Sequence, residues 1–450
     1  MRITWVQPED LLPHELAASR DEGRDVTALA DRWARAGGDL TPPVSGASPT
    51  PASPELRALA AELLDAADAL PAVAADDEPD DLAAIRASWP ADFALPTAAT
   101  YDRVHGAWLG RAVGCLLGKP VEKIPREGIR EILTATGRWP LRDWFTAQGL
   151  PADIAARWPW NRRSAPTSLA ENIDGMPEDD DLNYALLALR VLETHGRDFT
   201  SADVAQAWLD WLPGGRVFTA ERVAYRNLLL GLAPPESARR HNPFREWIGA
   251  QIRTDVYGWV NPGRPDRAAE LAYRDATVSH VRGGVHGAIW AAALAAAAPV
   301  AADVDEVLDA AESVLPPRSR FAATVREARA LGADGDDWER VVDAIYARHG
   351  HLHWVHVRNN AALVAAALAY GRGDFERSIC AVVSGGWDTD STGATVGAVA
   401  GALAGASGLP GRWVAPLHNR LASSIAGFDG IGFDELTRRT RALAEPGAGS

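Results

Sequence analysis

The sequence predicts an all-α protein built around one large helical domain. From Thr100 onward, apolar residues recur at i, i+3 and i+4, and glycines and prolines separate these segments. The period-two alternation that is typical of strands is not apparent. Ala-rich helices are predicted at 104–118, 182–195, 283–298, 358–370 and 391–406. We therefore expect a compact multi-helix domain.

The first hundred residues differ in composition from the rest. Residues 1–98 are predicted to form an appended helical extension, with helices near 13–20, 26–36 and 55–70. Residues 37–54 are rich in Gly, Pro, Ser and Thr, which is typical of a linker. Residues 74–81 are predicted to be an acidic, solvated turn. The main domain is expected at 99–443, followed by a disordered tail at 444–450.

Composition excludes several classes of protein. The 450-residue chain has a net charge of −15 and no long basic stretch, which argues against a nucleic-acid polymer or an anionic membrane as partner. Cys115 and Cys380 each lie in an apolar segment, which fits two buried thiols in a reducing compartment. No signal peptide is visible, and the apolar runs are too short or too charged to span a membrane. We expect a cytoplasmic protein.

Two predicted helices carry a glycine at every fourth position. These stripes are Gly106, Gly110, Gly114 and Gly118, and Gly393, Gly397, Gly401 and Gly405. Glycine destabilises a helix by about 1 kcal/mol relative to alanine, so close helix packing is the natural reason for the spacing. Either the two stripes face each other, or each packs against some other neighbour. An antiparallel pairing would bring Glu122 beside Asp388 and Asp390.

Acidic residues precede two of the predicted helices. The first run is Glu178-Asp179-Asp180-Asp181. Capping of a helix N-terminus accounts for one or two acids at such a place, because the helix dipole favours them. Four consecutive acids repel one another, and a bound cation explains them better.

The second acidic run follows a Gly-Gly turn and reads Asp388-Thr389-Asp390-Ser391. Two alternate carboxylates and a hydroxyl at a helix start can converge on one point, although a helix cap is again the alternative. Hard divalent cations such as Mg²⁺ and Mn²⁺ prefer oxygen ligands with excess negative charge. If the fold joins the two runs, they can hold two metals about 3.5–4 Å apart.

Other candidate residues are weaker when each is taken alone. Glu122 follows a helix stop and resembles an ordinary surface acid. The four histidines at 349, 351, 353 and 356 have no neighbouring cysteine, which disfavours zinc. His280 precedes a small-residue helix, either as part of a capped start or as a pocket wall. The candidates for contact with a substrate are Trp387, His280, His356, Asn359 and Asn360.

Taken in order, four motifs resemble the ADP-ribosylglycohydrolases, which include the dinitrogenase reductase-activating glycohydrolases. They are Gly118-Lys119-Pro120-Val121-Glu122, Glu178-Asp179-Asp180-Asp181, Val278-Ser279-His280 and Gly386-Trp387-Asp388-Thr389-Asp390-Ser391. The family patterns at these places read G-x-P-x-E, T-D-D-T, T-H and G-G-D-T-D-T. Glu178 stands where a threonine is usual, Trp387 where a glycine is usual and Cys115 where many members have aspartate. These departures indicate a divergent branch.

The resemblance implies a catalytic site and its cofactor. It implies an all-α fold with two Mg²⁺ or Mn²⁺ ions, whose ligands would be Glu178, Asp179, Asp180, Asp388, Asp390 and Ser391. Glu122, Asp179 and Asp180 become the candidates to orient or deprotonate a metal-bound water. The reaction expected is hydrolysis of a ribosyl N- or O-glycosidic bond, in an ADP-ribosylated side chain or a small ADP-ribosyl or nucleotide compound.

Two other functions stay open at the level of sequence. A catalytically silent member of the same fold would bind a ligand or serve as a structural protein, and a failure to bind Mg²⁺ would favour it. An interaction protein would use residues 1–98 to dock a partner, with the large domain in a regulatory role.

Overall fold

The computed structural model describes residues 3–71, 77–161 and 164–444 of the chain. These residues form helices and loops, with isolated bridge pairs such as Trp247 with His356. The all-α prediction is confirmed. The expected tail at 444–450 lies outside the described residues except for Ala444, and so do residues 74–76 of the expected acidic turn. In the part of the chain described here, no helix is both long enough and apolar enough to cross a membrane.

The N-terminal residues fold into four helices. These are α1 (Pro8–Asp21), α2 (Thr27–Arg35), α3 (Pro54–Asp68) and α4 (Leu82–Arg86). The first helix begins at Pro8, five residues before the predicted start, because Pro8 occupies the first helical position, where its missing N–H costs nothing. Ser53 caps α3 by accepting a hydrogen bond from the Leu56 N–H.

The main part of the chain contains the remaining helices. In order they are α5 (Tyr101–Gly118), α6 (Arg126–Ala135), α7 (Ala152–Arg157), α8 (Ala165–Ser168), α9 (Asp180–His195), α10 (Ser201–Trp211), α11 (Thr219–Leu229), α12 (Glu236–Arg239), α13 (Asp255–Trp259), α14 (Pro265–Ala276), α15 (Arg282–Ala297), α16 (Val304–Glu312), α17 (Arg320–Asp334), α18 (Trp338–His349), α19 (Val357–Gly371), α20 (Phe375–Ser384), α21 (Thr389–Ala404), α22 (Gly411–Val414) and α23 (Phe433–Ala444). The five Ala-rich helices predicted from the sequence are α5, α9, α15, α19 and α21. Their observed ends differ from the predicted ones by three residues or fewer.

The centre of the fold is formed by helices that are buried on nearly every side. All of α15 is buried, as is α21 from Thr389 to Ala402. Small, apolar residues on every face suit a helix that is surrounded by other helices. α15 packs against α13, α14 and α19, while α21 packs against α5, α19 and α20.

The two glycine stripes face each other. A Cβ atom at Gly110 would lie 2.0 Å from the carbonyl oxygen of Gly397, and one at Gly106 would lie 2.2 Å from that of Gly401. The pairing runs antiparallel, so the end of α5 meets the start of α21. This confirms the facing arrangement of the two alternatives. Any side chain at these positions would separate the two helices.

The N-terminal helices pack directly on the main part of the chain. Trp5 contacts Phe244 edge to face, with ring centroids 5.3 Å apart. Arg245 is buried and donates hydrogen bonds to Glu15 at 2.7 Å and Glu22 at 2.8 Å. The linker-like segment 37–54 also makes specific contacts, since the Trp5 N–H donates to the Gly46 carbonyl at 2.7 Å.

The described end of the acidic turn is bound to neighbouring helices as well. Glu78 accepts hydrogen bonds from Arg320, and Asp80 accepts one from the backbone N–H of Arg282. The prediction of a solvated turn is therefore wrong for these two acids, because arginine and a helix N-terminus lie against them.

Candidate active site

Three carboxylates converge where α5 ends and α21 begins. The Thr389 hydroxyl donates to the Gly118 carbonyl at 2.8 Å, which joins the two helix termini. One carboxylate oxygen from each of Glu122, Asp388 and Asp390 lies within 4.8 Å of the others. The proximity of these three acids, predicted from antiparallel stripes, is confirmed. We call these three residues the carboxylate triad.

Burial makes the anionic form of two triad members unfavourable. Burial, followed by the charges of Asp390 and Glu122, raises the pKa of Asp388 well above its usual range. Burial, followed by the charges of Glu122 and Asp179, raises the pKa of Asp390 to about 7. Asp388 also stands at the N-cap of α21 without using its side chain as a cap. Helix capping therefore does not explain why a carboxylate is buried at this position. A bound cation would stabilise its anionic form.

The other acidic run divides its carboxylates among different partners. Asp179 caps α9, because its Oδ1 accepts the Asp181 N–H at 2.9 Å. Its Oδ2 is paired with the ammonium of Lys119, which also donates to the Glu178 carbonyl at 3.1 Å. Burial acts to lower the pKa of Lys119, yet the charges of Asp179 and its other acidic neighbours, with the hydrogen bond to Asp179, together outweigh burial and raise the pKa. Both oxygens of Asp179 thus have partners.

Asp181 faces the interior between α5 and α9. Its Oδ2 accepts a hydrogen bond from the Ser391 hydroxyl at 3.2 Å, and its Oδ1 lies 3.7 Å from the guanidinium of Arg111. Asp179, Asp181 and the Cys115 thiol form a second close group. Burial and the charge of Asp179 raise the pKa of Cys115, so this thiol is a poor ligand for a hard cation.

Glu178 and Asp180 lie on opposite sides of this run. The Glu178 carboxylate is paired with Arg216 at 3.0 Å and accepts from Asn183 at 3.2 Å, so it belongs to neither close group. Asp180 is partly exposed, and burial together with the charges of Asp179 and Asp390 raises its pKa. Asp180 is thus near the triad, while Glu178 is held at the surface.

Glu122 forms the outer edge of the site. Asn161 donates a hydrogen bond to one of its oxygens, and the Lys123 ammonium lies 3.2 Å from the other. The Lys123 ammonium is also 5.2 Å from the ring centroid of Trp354. The Glu122 side chain is 16% exposed, and a positioned carboxylate at the edge of a site can exchange protons with a bound molecule.

Two predicted substrate residues lie beside the triad. Trp387 has φ of 63° and stacks on Tyr346, with ring centroids 4.0 Å apart and planes 9° apart. One face of its indole is therefore already covered. The side-chain Oδ1 of Asn360 accepts a hydrogen bond from the Asp388 N–H at 3.2 Å, so Asn360 supports the backbone of the triad.

The other predicted substrate residues lie in buried contacts. His280 accepts or donates a hydrogen bond with Ser279 at 2.8 Å, beside Glu221 and Arg253. His356 caps α19 through the Arg358 N–H. The Asn359 amide donates to the His353 carbonyl at 3.1 Å. No hydrogen bond between these three side chains and the triad is present among the described residues.

Sequence reasoning missed three residues that shape the site: Lys119, Arg111 and Asn161. Arg111 is fully buried, and it donates to the Asp181 carbonyl at 2.7 Å and to Asp255 at 2.8 Å. A single arginine within the apolar run 104–118 was the signal for it, since a buried charge requires a partner. Lys119 lies within the quoted Gly-Lys-Pro-Val-Glu motif, whereas nothing in the sequence marks Asn161.

The donor set of the triad fits a hard divalent cation. Three oxygen ligands converge there, two of them buried, and the nearby Lys123 side chain is 41% exposed. Mg²⁺ and Mn²⁺ prefer such carboxylate ligands. Near Asp179 the fit is poorer, because an ammonium is already present.

The fold and site together define an all-α protein with a polycarboxylate centre between two close-packed helices. A model of the ADP-ribosylglycohydrolase family matches residues 96–446, and the chain belongs to this family. Among solved structures, one described as "ADP-ribosylglycohydrolase-related protein complex" has 24% sequence identity and a TM-score of 0.43. The match covers 76% of this chain and 97% of that one. No curated protein sequence matches the chain.

Proposed function

We propose that the protein is a metal-dependent hydrolase that cleaves a ribosyl N- or O-glycosidic bond in an ADP-ribosylated substrate. The carboxylate triad carries this proposal, because it gathers Glu122, Asp388 and Asp390 within 4.8 Å in a member of a glycohydrolase family. The family implies ADP-ribosyl substrates, either on a protein side chain or in a small compound. Mg²⁺ is the proposed cofactor, with Mn²⁺ as the alternative.

Each acid has a distinct task in this reaction. Asp388 and Asp390 would hold the cation, because both are buried and neither belongs to an ion pair among the described residues. When bound, the cation supplies positive charge that neutralises the triad and lowers the pKa of nearby water or hydroxyl groups. Asp180 and Ser391 are the proposed further ligands, because Asp180 interacts electrostatically with Asp390 and Ser391 follows Asp390 in the chain.

Glu122 is the proposed general base. It is oriented by Asn161 and Lys123, and it lies at the accessible edge of the triad. It accepts a proton from the water that attacks the anomeric carbon of the ribose, while the leaving group departs with the electron pair of the glycosidic bond and takes up a proton. The remaining carboxylates stabilise the positive charge that develops on the sugar. Trp354, beside Lys123, and the small exposed part of Trp387 can pack against the ribose or the base.

The test is a metal-dependent assay with a matched pair of variants. Metal-stripped protein is incubated with Mg²⁺ or Mn²⁺ and with arginine- and serine-ADP-ribosylated peptides, 1″-substituted ADP-ribose compounds and nucleosides. Products are followed by mass spectrometry. Asp390→Asn should lower turnover at least 100-fold. Asp305→Asn makes the same chemical change at a carboxylate that is 71% exposed and should leave turnover unchanged.

Other outcomes separate the alternatives. Release from nucleosides alone would keep the chemistry and replace the ADP-ribosyl substrate by a smaller one. Metal binding without turnover on any substrate would favour the catalytically silent member of the family. Equal turnover in Asp390→Asn and the wild type would contradict the proposal.

A further inference from the structure

The ammonium of Lys119 lies inside the acidic site. Lys119 is 9% exposed and directly follows the last residue of α5. The close approach of α5 and α21 fixes its backbone, since a Cβ at Gly118 would lie 2.0 Å from the Thr389 carbonyl oxygen. Its ammonium contacts the Asp179 carboxylate and lies 3.1 Å from the Glu178 carbonyl.

This ammonium occupies the place that a cation at Asp179 would require. A Mg²⁺ ion must approach its carboxylate oxygens to about 2.0–2.1 Å. The Asp179 Oδ2 is already paired with Lys119, and its Oδ1 caps α9 through the Asp181 N–H. A divalent ion could bind Asp179 through Oδ2 only if Lys119 were displaced.

Charge compensation differs between the two halves of the site. On the α9 side, Asp179 faces Lys119, Asp181 faces Arg111, and Glu178 faces Arg216. These three acids therefore each have a cationic partner. On the α21 side, Lys123 pairs with Glu122, and no ion pair of the described residues includes Asp388 or Asp390. Asp180, which lies near them, likewise has no ion pair among the described residues, so the uncompensated carboxylates of the site are on the side of the triad, away from Lys119.

We infer that Lys119 is a built-in counter-ion that takes the place of one divalent cation, so that the site binds one metal ion at the triad instead of two. This inference rests on the proposed metal dependence of the site. It replaces the pair of ions expected from the sequence with one ion and one ammonium. Lys119 is a positioning residue, since it holds Asp179 at the start of α9.

The number of bound ions tests the inference. Metal-stripped protein is titrated with Mn²⁺ by calorimetry, and the spin coupling between neighbouring ions is followed by electron paramagnetic resonance. The wild type should bind one ion without spin coupling. Lys119→Met removes the charge and keeps the chain length, and it should bind two coupled ions. Lys119→Arg retains the charge and should bind one.

Two further variants serve as controls. Lys123→Met removes the other lysine of the site, which lies at its edge, and should leave the number of ions at one. Asp179→Asn should also bind one ion, whereas Asp390→Asn should bind none. The Asp179→Asn result keeps the test valid even if Lys119→Met does not fold.

The possible failures are distinct. Two ions in the wild type would overturn the role of Lys119 and leave the proposed metal dependence intact. Loss of the single ion in Asp179→Asn would also overturn it, because Asp179 would then be a ligand. Absence of Mn²⁺ binding in the wild type would overturn the proposed metal dependence itself, and the inference with it.

Discussion

A methyl group on Gly114 would lie 1.9 Å from the carbonyl oxygen of Gly393 on the facing helix. This contact is one of several between the glycine stripes of α5 and α21. It lies in the same pair of helices whose joined ends carry Glu122 and Asp388. Helix packing and the geometry of the site are therefore coupled.

Gly114→Ala should destabilise the protein and disturb the carboxylate triad. The added methyl group must push two backbones apart, and overpacking of this kind costs about 1–3 kcal/mol. Denaturant unfolding should show the loss, and Mn²⁺ titration should show weaker binding. Gly411→Ala is the matched control, because a Cβ at Gly411 meets nothing within 4 Å. Equal stability of the two variants would contradict the close packing.

Asn360→Ala should weaken metal binding through Asp388. The variant removes the acceptor of the Asp388 N–H, and loss of a group that orients a metal ligand typically costs about 10–100-fold in affinity. Asn359→Ala is the control. The Asn359 side-chain amide donates to the His353 carbonyl and does not contact Asp388, so metal affinity should not change. Calorimetric titration with Mn²⁺ measures both variants.

Arg245→Ala should strongly destabilise the contact between the N-terminal helices and the main part of the chain. It would leave Glu15 buried without its cation and would remove one of the cations beside Glu22, and breaking a buried ion pair typically costs about 3–5 kcal/mol. Arg32→Ala breaks the exposed pair with Glu62 and should have no measurable effect. Similar unfolding midpoints for both variants would argue that the N-terminal helices contribute little to stability.

A fall in pH should destabilise the contact between the N-terminal helices and the main part of the chain, because two histidines are buried in it. Burial lowers the pKa of His14 to about 4 and that of His353 to about 3, and both lie against Trp247. An unfolded histidine has a pKa near 6.5. Below that pH the unfolded chain takes up protons that the native state does not, so stability is lost as pH falls from 6.5 toward 4. The contribution of His14 alone is about 3 kcal/mol.

Unfolding free energies measured between pH 4.5 and 7 test this dependence. His14→Gln stays neutral throughout the range and should flatten the decline. His351→Gln, at an exposed position, should reproduce the wild-type profile. An unchanged slope in His14→Gln would contradict the assigned role of His14.

Much of the fold could be predicted from the sequence because local patterns specify it. The periodic apolar residues of α5, α9, α15, α19 and α21 predict helices whose ends differ from the observed ones by three residues or fewer. The spacing of the glycines also carries information about tertiary contact. A spacing of four residues places the glycines along one side of each helix. Glycine destabilises a helix relative to alanine, so a closely packed neighbouring helix is the explanation for four of them on one side.

Less of the site could be predicted, because side-chain partners depend on the contact between helices. Lys119 and Asp179 are 60 residues apart, and their pairing requires the end of α5 to meet the start of α9. His356 and Asn359 share a motif with Asn360, yet only Asn360 reaches Asp388. Adjacent positions on a helix point in different directions, so proximity in sequence does not imply a shared function.

The sequence by itself determined the helical class, the family and the acidic residues from which a site can be built. Periodicity, glycine spacing and clustered carboxylates are local properties that can be recognised in the sequence before the fold is known. Only the tertiary structure decided which acidic side chains form ion pairs with a lysine or an arginine. Charge compensation acts over a few ångströms between distant segments, and for that reason only the folded chain separates the triad of Glu122, Asp388 and Asp390 from the acids neutralised by Lys119, Arg111 and Arg216.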